Sequence, residues 1–156
     1  MRTLVVALVL SLAPLWAFAC SPDKVRLNWD GGMAEFKVDI VDTPEGRARG
    51  LMFVEKMPRF SGMLFVYPKP QNNVSFWMRN TLISLDILFF DERGVLQSVQ
   101  ENAVPLDETS LPGGDGIQYV LEINGGLVEK LRIPTGALLQ SSAIDQESAQ
   151  SKCDAN

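Results

Sequence analysis

Over residues 74–89 the sequence reads Val74-Ser75-Phe76-Trp77-Met78-Arg79-Asn80-Thr81-Leu82-Ile83-Ser84-Leu85-Asp86-Ile87-Leu88-Phe89. Apolar and polar side chains alternate over residues 74–79 and again over 84–89, which is typical of strands that bury one face. A one-residue shift in pairing would mix the two faces, so the pattern predicts a β-hairpin across the link 80–83. In this register one face is entirely apolar: Val74, Phe76, Met78, Leu85, Ile87 and Phe89.

The opposite face of the predicted hairpin carries the polar and charged side chains together with Trp77 and Leu88: Ser75, Trp77, Arg79, Ser84, Asp86 and Leu88. In this register Trp77 lies opposite Asp86, and Arg79 is a diagonal neighbour. A tryptophan offers a stacking surface and the charged groups offer directed hydrogen bonds, which suits a small polar ligand. An internal ion pair covered by the tryptophan, which only stabilises the sheet, explains the same pattern.

Further strands are predicted on both sides of the hairpin. One short helix is predicted to begin at Thr43-Pro44-Glu45, where a capping hydroxyl precedes a proline and an acid. A second is predicted over residues 127–133, and the Pro- and Gly-rich residues 102–116 are predicted to form a long loop. About seven short strands with two short helices indicate a mainly β fold, a small barrel or sandwich. The other strands are expected over residues 25–29, 34–41, 63–67, 95–99 and 118–123, with a last one after Pro134.

The two ends of the chain are predicted to lie outside the folded domain. Residues 1–19 combine Arg2, an apolar run over residues 4–16 and Ala17-Phe18-Ala19 before Cys20, which is the pattern of a cleaved signal peptide. The run is shorter than the roughly 20 residues of a membrane-spanning helix. We therefore expect a periplasmic or secreted protein without a transmembrane segment after cleavage. The remaining divisions are an N-terminal strand and turn (20–33), the β-barrel or sandwich domain (34–139) and a disordered polar tail (140–156).

The chain has two cysteines, Cys20 and Cys153. An exported compartment permits a disulfide between them. Lipidation of Cys20 is a second possibility, although the bulky Phe18 fits a lipoprotein signal poorly. Two free thiols are the third, and the sequence leaves these alternatives open.

Composition excludes several classes of function. The 156-residue chain contains no histidine, which excludes Ser-His-Asp and Cys-His catalytic sites and any histidine-ligated metal. Its formal net charge of −5 provides no basic surface for nucleic acid. We therefore predict no cofactor and no nucleic-acid partner.

Four motifs occur in a distinctive order and spacing. They are Arg49-Gly50-Leu51-Met52-Phe53, Gly62-Met63-Leu64-Phe65, Phe76-Trp77-Met78-Arg79-Asn80-Thr81 with Leu85-Asp86, and Tyr119-Val120-Leu121-Glu122-Ile123-Asn124 followed by Gly126. Over about residues 34–139 the chain thereby resembles a bacterial and archaeal family, domain of unknown function number 192 (DUF192). The resemblance implies a compact, mostly β fold, often behind an export signal, and no established activity. Ile133-Pro134-Thr135-Gly136 departs from the family's last turn, where an aspartate is expected.

The polar members of these motifs are the candidate ligand-binding residues. Two of them, Asp86 and Glu122, lie in otherwise apolar strands, where a carboxylate must be paired or must have a shifted pKa. Arg49 and Arg79 are their expected partners. The full candidate set is Arg49, Trp77, Arg79, Asn80, Asp86 and Glu122.

These residues favour an exported, non-enzymatic binding or interaction module for a small polar or sugar-like ligand. One alternative is a hydrolase that uses Asp86 and Glu122 as paired carboxylates, as glycosidases do. Another is copper(I) handling by methionines and Trp77, because thioethers suit that ion, although methionine is more often a core filler. The methionines concerned are Met52, Met57, Met63 and Met78.

Overall fold

A computed structural model describes residues 20–153 of the chain. The predicted signal peptide, residues 1–19, lies outside the described residues. Within them the mainly β class is confirmed, with nine strands and two short helices. The elements are β1 (Lys24–Trp29), β2 (Gly32–Val41), α1 (Pro44–Arg49), β3 (Ser61–Gln71), β4 (Val74–Phe76), β5 (Leu85–Asp91), β6 (Leu96–Ala103), β7 (Leu111–Gly114), β8 (Ile117–Asn124), α2 (Leu127–Leu131) and β9 (Leu138–Gln140).

Seven strands form one curled sheet in the order β6-β5-β8-β3-β2-β1-β9, and β4 pairs with β7 in a small second sheet. In the large sheet β2 and β3 are parallel, with α1 in the connection between them, and the other pairs are antiparallel. The two ends of the large sheet approach each other, because Val95 forms a bridge with Leu138. Neither helix between residues 20 and 153 is long and apolar enough to cross a membrane.

Each face of the large sheet carries a hydrophobic core, because successive residues of a strand point to opposite sides. The first core is centred on Leu27, Phe36, Leu64, Leu88, Phe90, Tyr119, Leu121 and Ile123. The second core includes Leu51, Met63, Phe65, Val74, Met78, Leu85, Ile87, Phe89 and Val120. It is formed between the large sheet, β4 and the residues after α1.

The predicted hairpin between residues 74–79 and 84–89 is wrong. Both edges of β5 are occupied, one by β6 and the other by β8, so β4 pairs with β7 instead. β7 lies within residues 102–116, which the sequence predicted to be loop. The predicted apolar face nevertheless exists as a unit, since all six of its side chains belong to or pack against the second core.

Asp86 is fully buried on β5, and three backbone N–H groups donate to its carboxylate. Oδ1 accepts from Asn102 at 2.8 Å and from Gly126 at 3.0 Å, and Oδ2 accepts from Val128 at 2.8 Å. Asn102 and Gly126 both have positive φ, 52° and 77°. A single side chain therefore fixes the end of β6 and the start of α2.

The C-terminal segment was predicted to be disordered from residue 140, and this is wrong for the described residues up to 153. Ile144 and Ala149 are buried in the first core, and the Gln150 N–H donates to the Arg93 carbonyl at 2.9 Å. Cys153 forms a disulfide with Cys20, with a Cα–Cα distance of 5.4 Å. Apolar anchors and a covalent link therefore hold a segment whose average composition is polar.

The Asp86→Ala variant is expected to lose about 3 kcal/mol or more of unfolding free energy, because it leaves three N–H groups without their acceptor. Urea denaturation followed by circular dichroism measures the loss. Asp39→Ala, an exposed position on β2, is the matched control and is expected to change stability by less than about 0.5 kcal/mol. A loss below about 1 kcal/mol for Asp86→Ala would contradict the structural role assigned to this carboxylate.

Candidate functional site

A cleft of about 210 Å³ opens on the second-core side of the large sheet. Its walls come from α1 and the residues after it, from β3, from β4 and the following loop, and from β8. We call it the α1–β4 cleft. Its lining residues are Arg47, Ala48, Arg49, Gly50, Leu51, Met52, Phe65, Tyr67, Ser75, Phe76, Trp77, Thr81 and Glu122.

Glu122 reaches this cleft because of its place on β8. It is paired in register with Met63 of β3 and Ile87 of β5, so it points to the second-core face like both of them. Its neighbours Leu121 and Ile123 point the other way, into the first core. The strand alternation thus places a carboxyl group in the centre of an apolar face, at the base of the cleft.

The Glu122 carboxyl is buried and incompletely satisfied. Its Oε2 atom has no hydrogen-bond partner, and no ion pair between residues 20 and 153 involves this side chain. Burial raises the pKa of Glu122 to about 8, since removal from water disfavours the charged form and nothing compensates for it. At neutral pH the group is therefore an uncharged carboxylic acid that can both donate and accept hydrogen bonds.

The end of α1 closes over Glu122 through a glycine. The helix begins as predicted, with the Thr43 hydroxyl accepting from the Gly46 N–H at 3.1 Å and Pro44 in the first turn. It ends at Gly50, where φ is 49°. A Cβ at this position would lie 3.2 Å from the Phe65 ring and 4.0 Å from Glu122 Oε2. Only glycine combines this backbone conformation with so close an approach to the sheet.

The two arginines of α1 have different environments. Arg47 donates to the backbone carbonyls of Asp42 and, at 2.9 Å, of Val66, and its guanidinium lies 4.9 Å from the centre of the Tyr67 ring. Burial raises the pKa of the Tyr67 hydroxyl, although the Arg47 charge opposes the shift. The Arg49 side chain is exposed at the cleft and makes no hydrogen bond or ion pair with residues 20–153. Arg47 is therefore held by the fold, whereas the Arg49 guanidinium remains available.

Trp77 forms the rim of the cleft on the β4 side. Its side chain is 48% exposed, and the Arg79 guanidinium lies 5.5 Å from the ring centre. The loop that carries it is fixed by two backbone hydrogen bonds, from the Phe53 N–H to the Asn80 carbonyl at 2.8 Å and from the Leu106 N–H to the Thr81 carbonyl at 3.1 Å. The ring is therefore an exposed aromatic surface on a well-supported loop.

Of the candidate residues predicted from sequence, the cleft brings together Arg49, Trp77 and Glu122. Arg79 lies beside Trp77 rather than in the cleft lining, and the Asn80 side chain contacts the Met52 sulfur at 3.9 Å. The predicted pairing of Trp77 with Asp86 is wrong, because Asp86 points to the first-core face and is bound by backbone N–H groups. The expected ion pairs of Asp86 and Glu122 with arginines are also not formed among the described residues.

Both alternative functions lose support from these positions. Asp86 and Glu122 lie on adjacent strands but on opposite faces of the sheet, so the two carboxyl groups cannot flank one glycosidic bond. Met63 and Met78 are buried in the second core, and Met57 packs against it. These methionines act as core side chains.

Sequence reasoning missed several residues of the cleft. Tyr67 lies two positions after Phe65 on β3 and shares its face, a relation that alternation alone could have identified. The hydrogen bonds of Arg47 to carbonyls outside the helix have no sequence signal. Ser75 of β4 and Thr81 of the following loop also line the cleft, and β4 pairs with β7 rather than with β5 as the sequence predicted.

The chain is similar to one family of sequences and to proteins of known structure. It matches the family model DUF192, described as an uncharacterised ACR, over residues 25–141. A Sinorhizobium meliloti 1021 protein of known structure, provisionally named a transcription regulator, is 32% identical with a TM-score of 0.75, and the match covers 81% of this chain and 98% of that one. A Novosphingobium aromaticivorans DSM 12444 protein of unknown function is 34% identical with a TM-score of 0.71, and the match covers 85% of this chain and 93% of that one. No curated protein matches significantly.

The Glu122→Gln variant is expected to remove a pH-dependent loss of stability. Between pH 4.5 and about pH 8 the Glu122 carboxyl keeps its proton in the native state and releases it in the unfolded state. The unfolding free energy of the wild type therefore falls as pH rises through this interval. At the alkaline end the glutamine variant should be more stable by up to about 5 kcal/mol, from about 1.36 kcal/mol per pH unit.

Urea denaturation at a series of pH values checks this expectation. Glu101→Gln, an exposed glutamate on β6, serves as the control and should follow the wild-type profile. Parallel stability curves for the wild type and Glu122→Gln would show that the carboxyl ionises normally.

Proposed function

The chain belongs to the DUF192 family of uncharacterised proteins, and we propose that it is a binding module that holds a small polar ligand in the α1–β4 cleft. The observation that carries the proposal is the unpaired Oε2 atom of Glu122 at the base of that cleft. A buried acceptor without a donor costs about 1–3 kcal/mol, which a ligand hydrogen bond would offset.

The cleft has the composition of a polar-ligand site. Aromatic side chains form much of its wall, and a few polar groups converge on the same space. Trp77 offers a stacking surface, and Arg49 offers hydrogen-bond donors. The Thr81 hydroxyl donates to the Arg79 carbonyl at 3.4 Å and offers a ligand its acceptor lone pairs. Glu122 is the only carboxyl side chain among the described lining residues, so the cleft lacks the second carboxylate that a glycosidase of this type needs, which favours binding over glycoside hydrolysis.

Nucleic acid is a poor candidate for the ligand. The Sinorhizobium relative is provisionally named a transcription regulator, and a DNA-binding role would require a surface that collects phosphates. This chain has a formal net charge of −5, which repels a polyanion. We therefore assign the cleft to a small molecule.

We also propose that the protein is exported to the periplasm or secreted. Residues 1–19 have the composition of a signal peptide. The disulfide between Cys20 and Cys153 supports the same conclusion, because such bonds persist in oxidising compartments. A disulfide at Cys20 also leaves no sulfur for a lipid anchor.

The binding proposal is tested by a thermal-shift screen of residues 20–156 against monosaccharides and small organic acids. We expect at least one compound to raise the Tm of the wild type by about 3 °C or more at saturation. Trp77→Ala should abolish the shift, whereas Met33→Ala, which removes an exposed side chain on β2, should retain it. A screen without any stabilising compound, or equal shifts in the wild type and Trp77→Ala, would contradict the proposal.

Export is tested by expressing the full sequence in a Gram-negative host and measuring the intact mass of the periplasmic protein. We expect a chain that begins at Cys20, lighter by about two mass units than the reduced form because of one disulfide. An uncleaved chain in the cytoplasm, or a Cys20 that carries a lipid, would be inconsistent with the proposal.

A further inference from the structure

We propose that the ligand of the α1–β4 cleft is a small hydroxylated monoanion, such as a sugar acid or a hydroxy acid, with its carboxylate at Arg49 and a hydroxyl at Glu122. This inference rests on the proposed binding function and names the chemical class that the cleft accepts.

The base of the cleft selects for a hydrogen-bond donor. Glu122 Oε2 has no partner, and because residue 50 is a glycine no side chain from the end of α1 occupies the space about 4.0 Å from this oxygen. A ligand hydroxyl can donate to this oxygen, and it can also accept the proton of the uncharged acid. A carboxylate placed here would bring two acidic groups together, so the anionic end of the ligand must lie elsewhere.

The cation that can bind that anionic end is Arg49. Its neighbour Arg47 is already engaged by two backbone carbonyls and by the Tyr67 ring. Arg49 has no such partner among residues 20–153, and its side chain is exposed at the cleft. A guanidinium binds a carboxylate through two parallel hydrogen bonds, which fixes the orientation of the ligand as well as attracting it.

The charge balance of the cleft favours an anion over an amine. Its titratable and charged side chains are Arg47 and Arg49 on α1, Tyr67 on β3 and Glu122 on β8. Burial keeps Glu122 uncharged up to about pH 8 and Tyr67 uncharged beyond its ordinary range. The cleft is therefore positively charged at neutral pH although the chain as a whole carries −5. Within the cleft lining a cationic ligand would face two arginines and no ionised carboxylate, and the acidic side chain of the adjoining pocket at the Trp77 rim is Glu108.

The size and shape of the cleft further limit which ligands can bind. The volume of about 210 Å³ is smaller than the roughly 300–1,000 Å³ of pockets for drug-sized ligands, which suits a single sugar ring or a smaller acid. The C–H face of a sugar ring can pack on the exposed Trp77 indole. Ser75 and Thr81 provide hydroxyl groups to its remaining polar atoms.

Isothermal titration of residues 20–156 at low salt tests this assignment with four probes: D-glucuronate, L-lactate, D-glucose and D-glucosamine. We expect at least one of the two acids to bind more tightly than glucose and glucosamine by about tenfold or more. Arg49→Gln should lower the affinity for that acid by about tenfold or more. Arg132→Gln, which changes an exposed arginine outside the cleft, should leave this affinity unchanged.

The role of Glu122 is tested by the pH profile of the same titration. The wild type should lose affinity for the acid as pH rises above about 8, because the ionised carboxyl then repels the anion. In Glu122→Gln this loss should disappear. Identical profiles in the wild type and the variant would overturn the role of Glu122.

The outcomes separate this inference from the proposed function. If glucose or glucosamine binds as tightly as the acids and the binding requires Trp77, the cleft is a binding site and the anionic class is wrong. If neither acid binds, the anionic class is likewise wrong. If in addition no compound of the broader screen binds, the proposed function fails with it.

Discussion

The fold depends on the buried Asp86 carboxylate, which accepts hydrogen bonds from backbone N–H groups that have no backbone acceptor. Asp86 accepts from Asn102, Gly126 and Val128, which belong to two turns that are distant in sequence. These N–H groups lie where β6 ends and α2 begins, so the regular ladder and helix bonds do not satisfy them. By supplying an acceptor inside the sheet, Asp86 fixes the end of β6 and the start of α2, whose Leu127 and Val128 are buried in the first core. The charge is tolerated because every nearby donor points at it.

Glu122 shows the opposite solution for the same chemical group. It lies one strand away from Asp86, on the other face of the sheet, and no backbone turn supplies N–H groups to its Oε2 atom. Burial is therefore the cause that shifts the pKa of Glu122, and the carboxyl keeps its proton up to about pH 8. The contrast supports assigning Asp86 to the structure and placing the candidate site at Glu122.

Much of the fold followed from local pattern, and the errors have a common cause. Alternation predicted the strands, and it predicted correctly that Val74 and Phe89 share one core. It could not predict which strands are neighbours, because pairing depends on the competition for the edges of β5. The prediction that the C-terminal segment is disordered was wrong for a related reason. Its order comes from Ile144 and Ala149 in the first core and from the link to Cys20, which average composition does not reveal.

For the site, residue type was predictable and environment was not. Arg49, Trp77 and Glu122 were identified because polar groups are conspicuous within apolar motifs, and Asp86 was identified by the same criterion. Only the positions of backbone N–H groups distinguish the two acids, and those positions are set by turns far along the chain. The same holds for the arginines of α1, one bound to carbonyls and one unbound. Sequence therefore identifies the groups able to bind a ligand, whereas the fold determines which of them are left to do so.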